Sequence, residues 1–448
     1  MESESKPTFW NVDAQDFIPS ASSDFTPKQE EHKKPQDKKK PYYKKQQHKK
    51  KNPHTEEKKH QNTKDPLSIS IIGINNSGKT TLAVTLSGSA HISHFTNCQI
   101  YTKDTKPRKY IFIDTAGFLQ QQILPISITD YSILAINVLE IREPNLKEIG
   151  ILLKNYLNGR LIVALTHVDQ INWDHDSYNT AVIEVRRILD KCGVIDTLCV
   201  PIGGNINIIQ RVSKDYAPWY SGKTLIQILD TLEIPQKKIE KAVKVPIFGI
   251  NGNKNDGYLG KVLSGNFTCG TKVMILPNGQ RADIVNIKDI KGGDIDKANA
   301  GEIVSITLKT PVDNGNLGLV LCEIKELSVV AKEFRAEVIF FNLEQNVVSP
   351  GFSCQIHLHS IIDDCVVVEV ISVTDIETKA KVKLNSVRSD QRAMVVIQVN
   401  NSVCAENCSK GWDCLSKFSL VLNGKVVGVG KIVELHNKVE EVVAGMGF

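Results

Sequence analysis

Gly73-Ile74-Asn75-Asn76-Ser77-Gly78-Lys79-Thr80 follows an apolar run at residues 69–72 and leads into a helix-like stretch at 81–86. The string fits GxxxxGK[ST], a glycine-rich turn whose successive backbone N–H groups point at phosphate oxygens. The positive end of the following helix lies behind them. Two further strings stand in the same relation to apolar runs. Asp114-Thr115-Ala116-Gly117 fits DxxG after residues 110–113, and Thr166-His167-Val168-Asp169 fits [NT]xxD after residues 161–165. In an open α/β sheet, ligands bind outside the carboxyl ends of the strands, so three such endings converge on one crevice.

The residue types define the expected chemistry. Asn75, Asn76, Ser77, Gly78, Lys79, Thr80 and Thr81 are placed to cradle phosphates, with Lys79 reaching the β- and γ-phosphates. Thr80 and Asp114 are the candidate Mg²⁺ ligands, and Gly117 brings backbone close to the same phosphates. Thr166, His167 and Asp169 form the base end of the site. The Asp169 carboxylate suits the N1 and N2 hydrogens of guanine and has no matching donor pair in adenine. The expected ligands are therefore GTP and GDP with Mg²⁺. Singly, each string is weak; together, after three strands, they are specific.

The chain has 448 residues, of which 41% are hydrophobic, enough for several packed domains. No run approaches the length of a membrane span, and the polar start Met1-Glu2-Ser3-Glu4-Ser5 lacks a secretory pattern. Ten cysteines without CxxC pairs suit reduced thiols, and a cytoplasmic location with no membrane or DNA partner is expected.

The net charge of +5 is uneven. Between Lys28 and Lys64 lie Lys38-Lys39-Lys40, Lys44-Lys45 and Lys49-Lys50-Lys51 among Gln, His and Pro. Such a tract has too little apolar surface to offset the entropy of ordering. It reads as a solvated spacer, as a salt-sensitive attractor of phosphates, or as an import signal.

Residues 65–240 alternate apolar strands with amphipathic stretches at 146–157 and 177–191, the pattern of a mostly parallel, doubly wound sheet. From 241 the pattern changes to short β-branched runs broken by Gly, Asn and Asp. Residues 241–326 and 327–438 each suit one small β-barrel. The expected organisation is a disordered arm at 1–64, a P-loop GTPase domain, and two all-β barrels.

This order resembles the translational GTPases of the elongation factor Tu and elongation factor 1-alpha superfamily. Gly260-Lys-Val-Leu-Ser-Gly265, Phe334-Arg-Ala-Glu-Val-Ile and Gly424-Lys-Val-Val-Gly-Val-Gly430-Lys431 look like that family's barrel signposts. Ala217-Pro218-Trp219-Tyr220-Ser221-Gly222 and Ile356-His357-Leu358-His359-Ser360 are most similar to the eukaryotic peptide-release GTPase branch. Trp10-Asn11-Val12-Asp13-Ala14-Gln15-Asp16-Phe17-Ile18-Pro19 resembles the motif by which that branch binds poly(A)-binding protein, with Trp10 replacing Leu. The resemblance implies a translation-termination factor that works with the class I release factor on the ribosome. Two other relatives imply different roles: a ribosome-rescue GTPase pairing with pelota, and a non-catalytic adaptor of the superkiller–exosome bridging type.

The departures fall at the catalytic end. Where the family has a water-orienting His after DxxG, this chain has Phe118, which has no hydrogen-bonding group, so no catalytic residue is assigned. The segment from His91 to Gln99 is short for a switch, and Thr96 is its candidate γ-phosphate sensor. The Lys of NKxD is absent, Gly203-Gly204 stands for the usual Ser-containing base loop, and Ser416-Lys417-Phe418 replaces Gly-Arg-Phe. Guanine contacts are expected to persist and hydrolysis to be slow.

Overall fold

A computed structural model describes residues 65–89, 92–250, 257–312, 318–344, 347–375, 381–382, 385–411 and 413–436. The Trp10 to Pro19 motif, the Lys-rich tract and His91 lie outside the described residues.

The first part is a seven-stranded sheet. In chain order its elements are β1 (Pro66–Ile72), α1 (Lys79–Ser87), β2 (Ser93–Phe95), β3 (Cys98–Asp104), β4 (Lys109–Asp114), α2 (Leu119–Ile128), β5 (Tyr131–Asn137), α3 (Glu143–Leu157), β6 (Leu161–Thr166), α4 (His175–Lys191), β7 (Leu198–Pro201) and α5 (Leu225–Leu229). The strand order is β2-β3-β4-β1-β5-β6-β7. The run from β4 to β7 is parallel, whereas β2 and β3 form an antiparallel hairpin on one side. The β1 strand is buried at every position although Ser68 and Ser70 interrupt its apolar residues, because Ser68 bonds Asp130 and Ser70 bonds Ser132, each at 2.6 Å. One face packs Leu82, Leu86, Leu225 and Leu229; the other packs Leu152, Leu153, Val185 and Leu189.

Helix starts lie upstream of the apolar periodicity, because first turns are polar. Thus α3 begins at Glu143 rather than 146. The α4 helix begins at His175, after Asp174 accepts the Ser177 amide at 2.8 Å as its cap. Neither α2, which contains Pro125, nor the β2–β3 hairpin was expected from periodicity.

The second part contains β8 (Lys244–Ile250), β9 (Tyr258–Lys261), β10 (Asn266–Thr268), β11 (Lys272–Leu276), β12 (Gln280–Asp289), β13 (Lys297–Asn299), β14 (Ile303–Leu308) and β15 (Val320–Glu323). Six of these close into a barrel, β11-β12-β14-β9-β8-β15, with β10 and β13 paired outside it. The third part contains β16 (Val329–Phe340), β17 (Ser353–Leu358), β18 (Ile361–Asp375), β19 (Lys381–Val382), β20 (Gln391–Ala405), a short α6 (Asp413–Ser416), β21 (Lys417–Leu422) and β22 (Lys425–His436). Its order β17-β21-β22-β16-β20-β18 is closed by pairing of β17 with β18, and β19 is appended to β18. The fold is a mostly parallel α/β domain followed by two six-stranded antiparallel barrels.

Both barrels touch the α/β domain. Phe95 of the hairpin meets Phe248 of the first barrel edge-on at 4.8 Å, and Lys261 reaches Ser68 at 2.8 Å and Asp130 at 3.1 Å. The second barrel lies against α2 and α3. Phe341, Val421 and Val426 join the α3 core, and Tyr156 and Ser419 share a buried hydroxyl contact at 3.0 Å.

Candidate functional site

The loop between β1 and α1 holds its shape through backbone that few residues adopt. Gly73 has φ 146°, and a Cβ there would fall 2.4 Å from the Ala135 carbonyl oxygen. Asn76 and Gly78 also have positive φ. Lys79 is 7% exposed, and its Nζ donates to the Ile74 carbonyl at 2.7 Å. Burial pushes its pKa down, opposed by the negative charge of Asp114. The Ser77 hydroxyl is buried without a partner. Thr81 lies exposed on the first turn of α1.

Asp114 closes β4, and its Oδ2 accepts from the Thr80 hydroxyl at 2.7 Å. Its Oδ1 is buried with no partner, and burial raises its pKa against the opposing effects of Thr80 and Lys79. A hydroxyl and a carboxylate with an orphaned oxygen are hard donors of the kind that Mg²⁺ shares with phosphates and water. These residues fit the ion. Among the described residues no group of three or more His, Cys, Asp or Glu forms a self-sufficient metal cage. Gly117 packs directly on the phosphate loop: a Cβ there would fall 1.4 Å from Asn75 Oδ1.

The third motif is fastened to the same loop. The Thr166 hydroxyl lies 3.0 Å from the Ser77 carbonyl and 3.1 Å from that of Ile136, with His167 Nδ1 at 3.0 Å. His167 has φ 60°, which turns the chain so that Asp169 Oδ1 accepts the Gly204 amide at 3.1 Å. A Cβ on Gly203 would lie 2.5 Å from Trp173 Cζ2, so this position admits only glycine. Trp219 donates its indole N–H to the Trp173 carbonyl at 2.7 Å, and its ring lies 5.1 Å from His175 and 5.0 Å from Tyr178. The Ala217 to Gly222 signature therefore braces the base loop.

Sequence reasoning missed Trp173 and Gln122. Trp173 carried a signal, as a bulky apolar residue four places after Asp169 in a polar stretch. Gln122 carried none. Its carboxamide is 1% exposed and bridges Gly73 and Ala116, joining the first motif to the second.

Phe118 caps α2 with its side chain 63% exposed. Because Gln99 pairs with Asp114, the turn holding Thr96 projects past the end of β4. The Thr96 hydroxyl, however, donates to the Phe95 carbonyl at 2.7 Å. In the Ser416-Lys417-Phe418 string, Phe418 is fully buried and Lys417 pairs with Asp413 at 3.2 Å.

Residues 68–167 match a family model described as 50S ribosome-binding GTPase, and residues 333–433 one described as GTP-eEF1A C-terminal domain-like. The chain is 26% identical over 353 residues to the eukaryotic peptide chain release factor GTP-binding subunit of Debaryomyces hansenii, covering 74% of this chain and 50% of that protein. The same subunit of Candida maltosa is 26% identical over 352 residues, covering 74% and 49%. The chain thus spans about half the length of the curated relatives it matches. The fold is shared with the translation elongation factor SelB from Methanococcus maripaludis, apo form (TM-score 0.65, 17% identity, 85% of this chain and 82% of that one). It is also shared with the GTP-bound Ski7 GTPase-like domain from S. cerevisiae (TM-score 0.63, 16% identity, 83% and 98%).

Proposed function

We propose that this chain, a translational GTPase of the elongation factor Tu and 1-alpha superfamily, is a guanine-nucleotide-binding factor that works in the cytoplasm with the class I release factor on the ribosome. The observation that carries the reading is that the three motifs are fastened around one loop: Lys79 bonds Ile74 within it, Thr80 bonds Asp114, and Thr166, three residues before the Asp169–Gly204 pair, bonds Ser77. The release-factor subunits named above support the termination role, since likeness to them covers 74% of the chain.

In this reading Lys79 exchanges the Ile74 carbonyl for β- and γ-phosphate oxygens. The backbone N–H groups around Asn75 to Thr81 hold the remaining phosphate charge. Thr80 and Asp114 would hold Mg²⁺, which would supply charge neutralisation at the terminal phosphates. Asp169 binds the N1 and N2 hydrogens of guanine while Gly203 and Gly204 border the base. Phe118 brings no donor or acceptor to the attacking water, so turnover is slow unless the ribosome or a partner supplies one.

The arm extends the proposal: Trp10 and Phe17 dock on poly(A)-binding protein, so Phe17→Ala lowers that affinity about thirtyfold. A second reading, an adaptor of the exosome-bridging type, is favoured by exposed Phe118 and by Lys417 being committed to Asp413. Parallel capture by class I release factor, pelota and exosome tests the choice. Preferential capture by the first supports termination; capture by either other alone replaces it.

A further inference from the structure

We propose that Gln122 is a positioning residue of the nucleotide site, clamping α2 to the phosphate loop in both nucleotide states. It makes the segment after DxxG a fixed strut rather than a switch. This inference rests on the guanine-nucleotide reading above. Gln122 Oε1 accepts the Gly73 amide at 3.1 Å. Its Nε2 donates to the Gly73 carbonyl at 2.7 Å and to the Ala116 carbonyl at 2.9 Å. The network admits one orientation of the carboxamide. Turned over, it would aim an oxygen at two carbonyls and an NH₂ at an N–H.

Three other contacts hold the same segment. Thr115 Oγ1 donates to the Ile71 carbonyl at 2.8 Å, and Gly117 lies against Asn75. Further along α2, Ile123 and Ile126 pack in one core with Val421, Val426 and Val429 of the second barrel. In switching GTPases, γ-phosphate orders mobile segments and hydrolysis releases them. Releasing α2 here strips hydrogen bonds from a buried N–H and two carbonyls, the costly kind to leave unmade. The γ-phosphate therefore has no loose segment to order at this position. The contact joins the nucleotide to the second barrel without reference to which nucleotide is bound.

The test is hydrogen exchange at Gly73 and across residues 116–128, using the full chain without nucleotide, with Mg²⁺–GDP and with a Mg²⁺–non-hydrolysable GTP analogue. Wild type is expected to protect 116–128 equally with either nucleotide. Gln122→Leu should lower Gly73 protection at least about tenfold in the nucleotide-free protein and weaken both nucleotides in step. In Gln122→Glu only the protonated acid can donate, through its single O–H, to one of the two carbonyls. Protection and affinity should therefore return as pH falls, which a merely space-filling residue would not produce. Tenfold greater protection of 116–128 by the GTP analogue than by GDP in wild type overturns the proposal, as does an unchanged Gln122→Leu. If that variant does not fold, a flat pH profile for Gln122→Glu overturns it instead. If wild type binds neither nucleotide, the functional reading fails, and Gly73 exchange in the nucleotide-free variants still decides whether the clamp exists.

Discussion

Asp169 and Gly204 are joined by a hydrogen bond from the Gly204 amide to the Asp169 carboxylate, so the two loops proposed to border the base are fastened across 35 positions of sequence. The second carboxylate oxygen is free of that bond and available to a base. Asp169→Asn replaces an acceptor with a donor facing the guanine N1–H and N2–H groups. GDP affinity should fall about tenfold to a hundredfold, while xanthosine diphosphate, which presents an oxygen at C2, should gain. Equal affinities for the two nucleotides in wild type and variant, measured by calorimetry, would remove Asp169 from the base site.

Lys79→Ala should weaken GTP and GDP together, because the lysine serves phosphate charge rather than the base. Loss of only one of the two in equilibrium dialysis contradicts this assignment.

Phe118 is the place where chemistry is missing. Phe118→His alone should raise single-turnover hydrolysis less than tenfold, because the hairpin bearing Thr96 is anchored to Phe248 and the Thr96 hydroxyl is spent on the Phe95 carbonyl. Rapid turnover by wild type with ribosomes and class I release factor would mean that another group has taken over water positioning.

The barrels predict an electrostatic weak point. Lys244 and Glu406 form a buried ion pair, and Ser328 accepts a further bond from Lys244 at 2.9 Å. Glu406→Ala leaves the ammonium buried without its carboxylate and should cost about 3–5 kcal/mol in urea denaturation. The exposed Lys425–Glu344 pair should tolerate the corresponding change with little effect.

His357 and His359 give the pH dependence. Burial pushes both pKa values down to about 4, and His359 donates from Nε2 to the Cys404 carbonyl at 3.1 Å. The unfolded chain binds protons near pH 6.5 and the folded chain only near 4, so stability is lost as pH falls through that window. The loss approaches about 3 kcal/mol per histidine. His359→Gln should flatten the slope between pH 6.5 and 4; an identical slope rules this origin out.

The motifs were legible because each needs rare residue types at a strand end. Gly73, Gly78 and Gly203 occupy places where a Cβ or a negative φ does not fit, and Asp114 and Asp169 carry the charges. Gln122 was invisible for the opposite reason. It is the third of Gln120-Gln121-Gln122, and only the rotation of a helix begun at Leu119 turns it inward. Composition cannot say which of three identical residues is buried. The hairpin escaped because β2 has only three residues and gains stability from Phe248, more than 150 positions away. The barrel signposts, by contrast, have a packing reason: Gly430 gives way to the Phe418 ring, which meets Phe334 edge-on at 5.7 Å.

Ring closure of both barrels has a consequence for behaviour in a crowded solution. A strand with an unpaired side is a template for another molecule, and long flat ones seed aggregates. Among the described residues from Lys244 to His436 the principal strands are consumed in two closed circuits, and the strands outside them, β10, β13 and β19, have only two or three residues each. On the open sheet, β7 has four residues and ends at Pro201, which has no N–H to offer, while the opposite flank ends in the three-residue β2. Among the described residues, so largely β-structured, little backbone is thus left on which a second copy can add a strand.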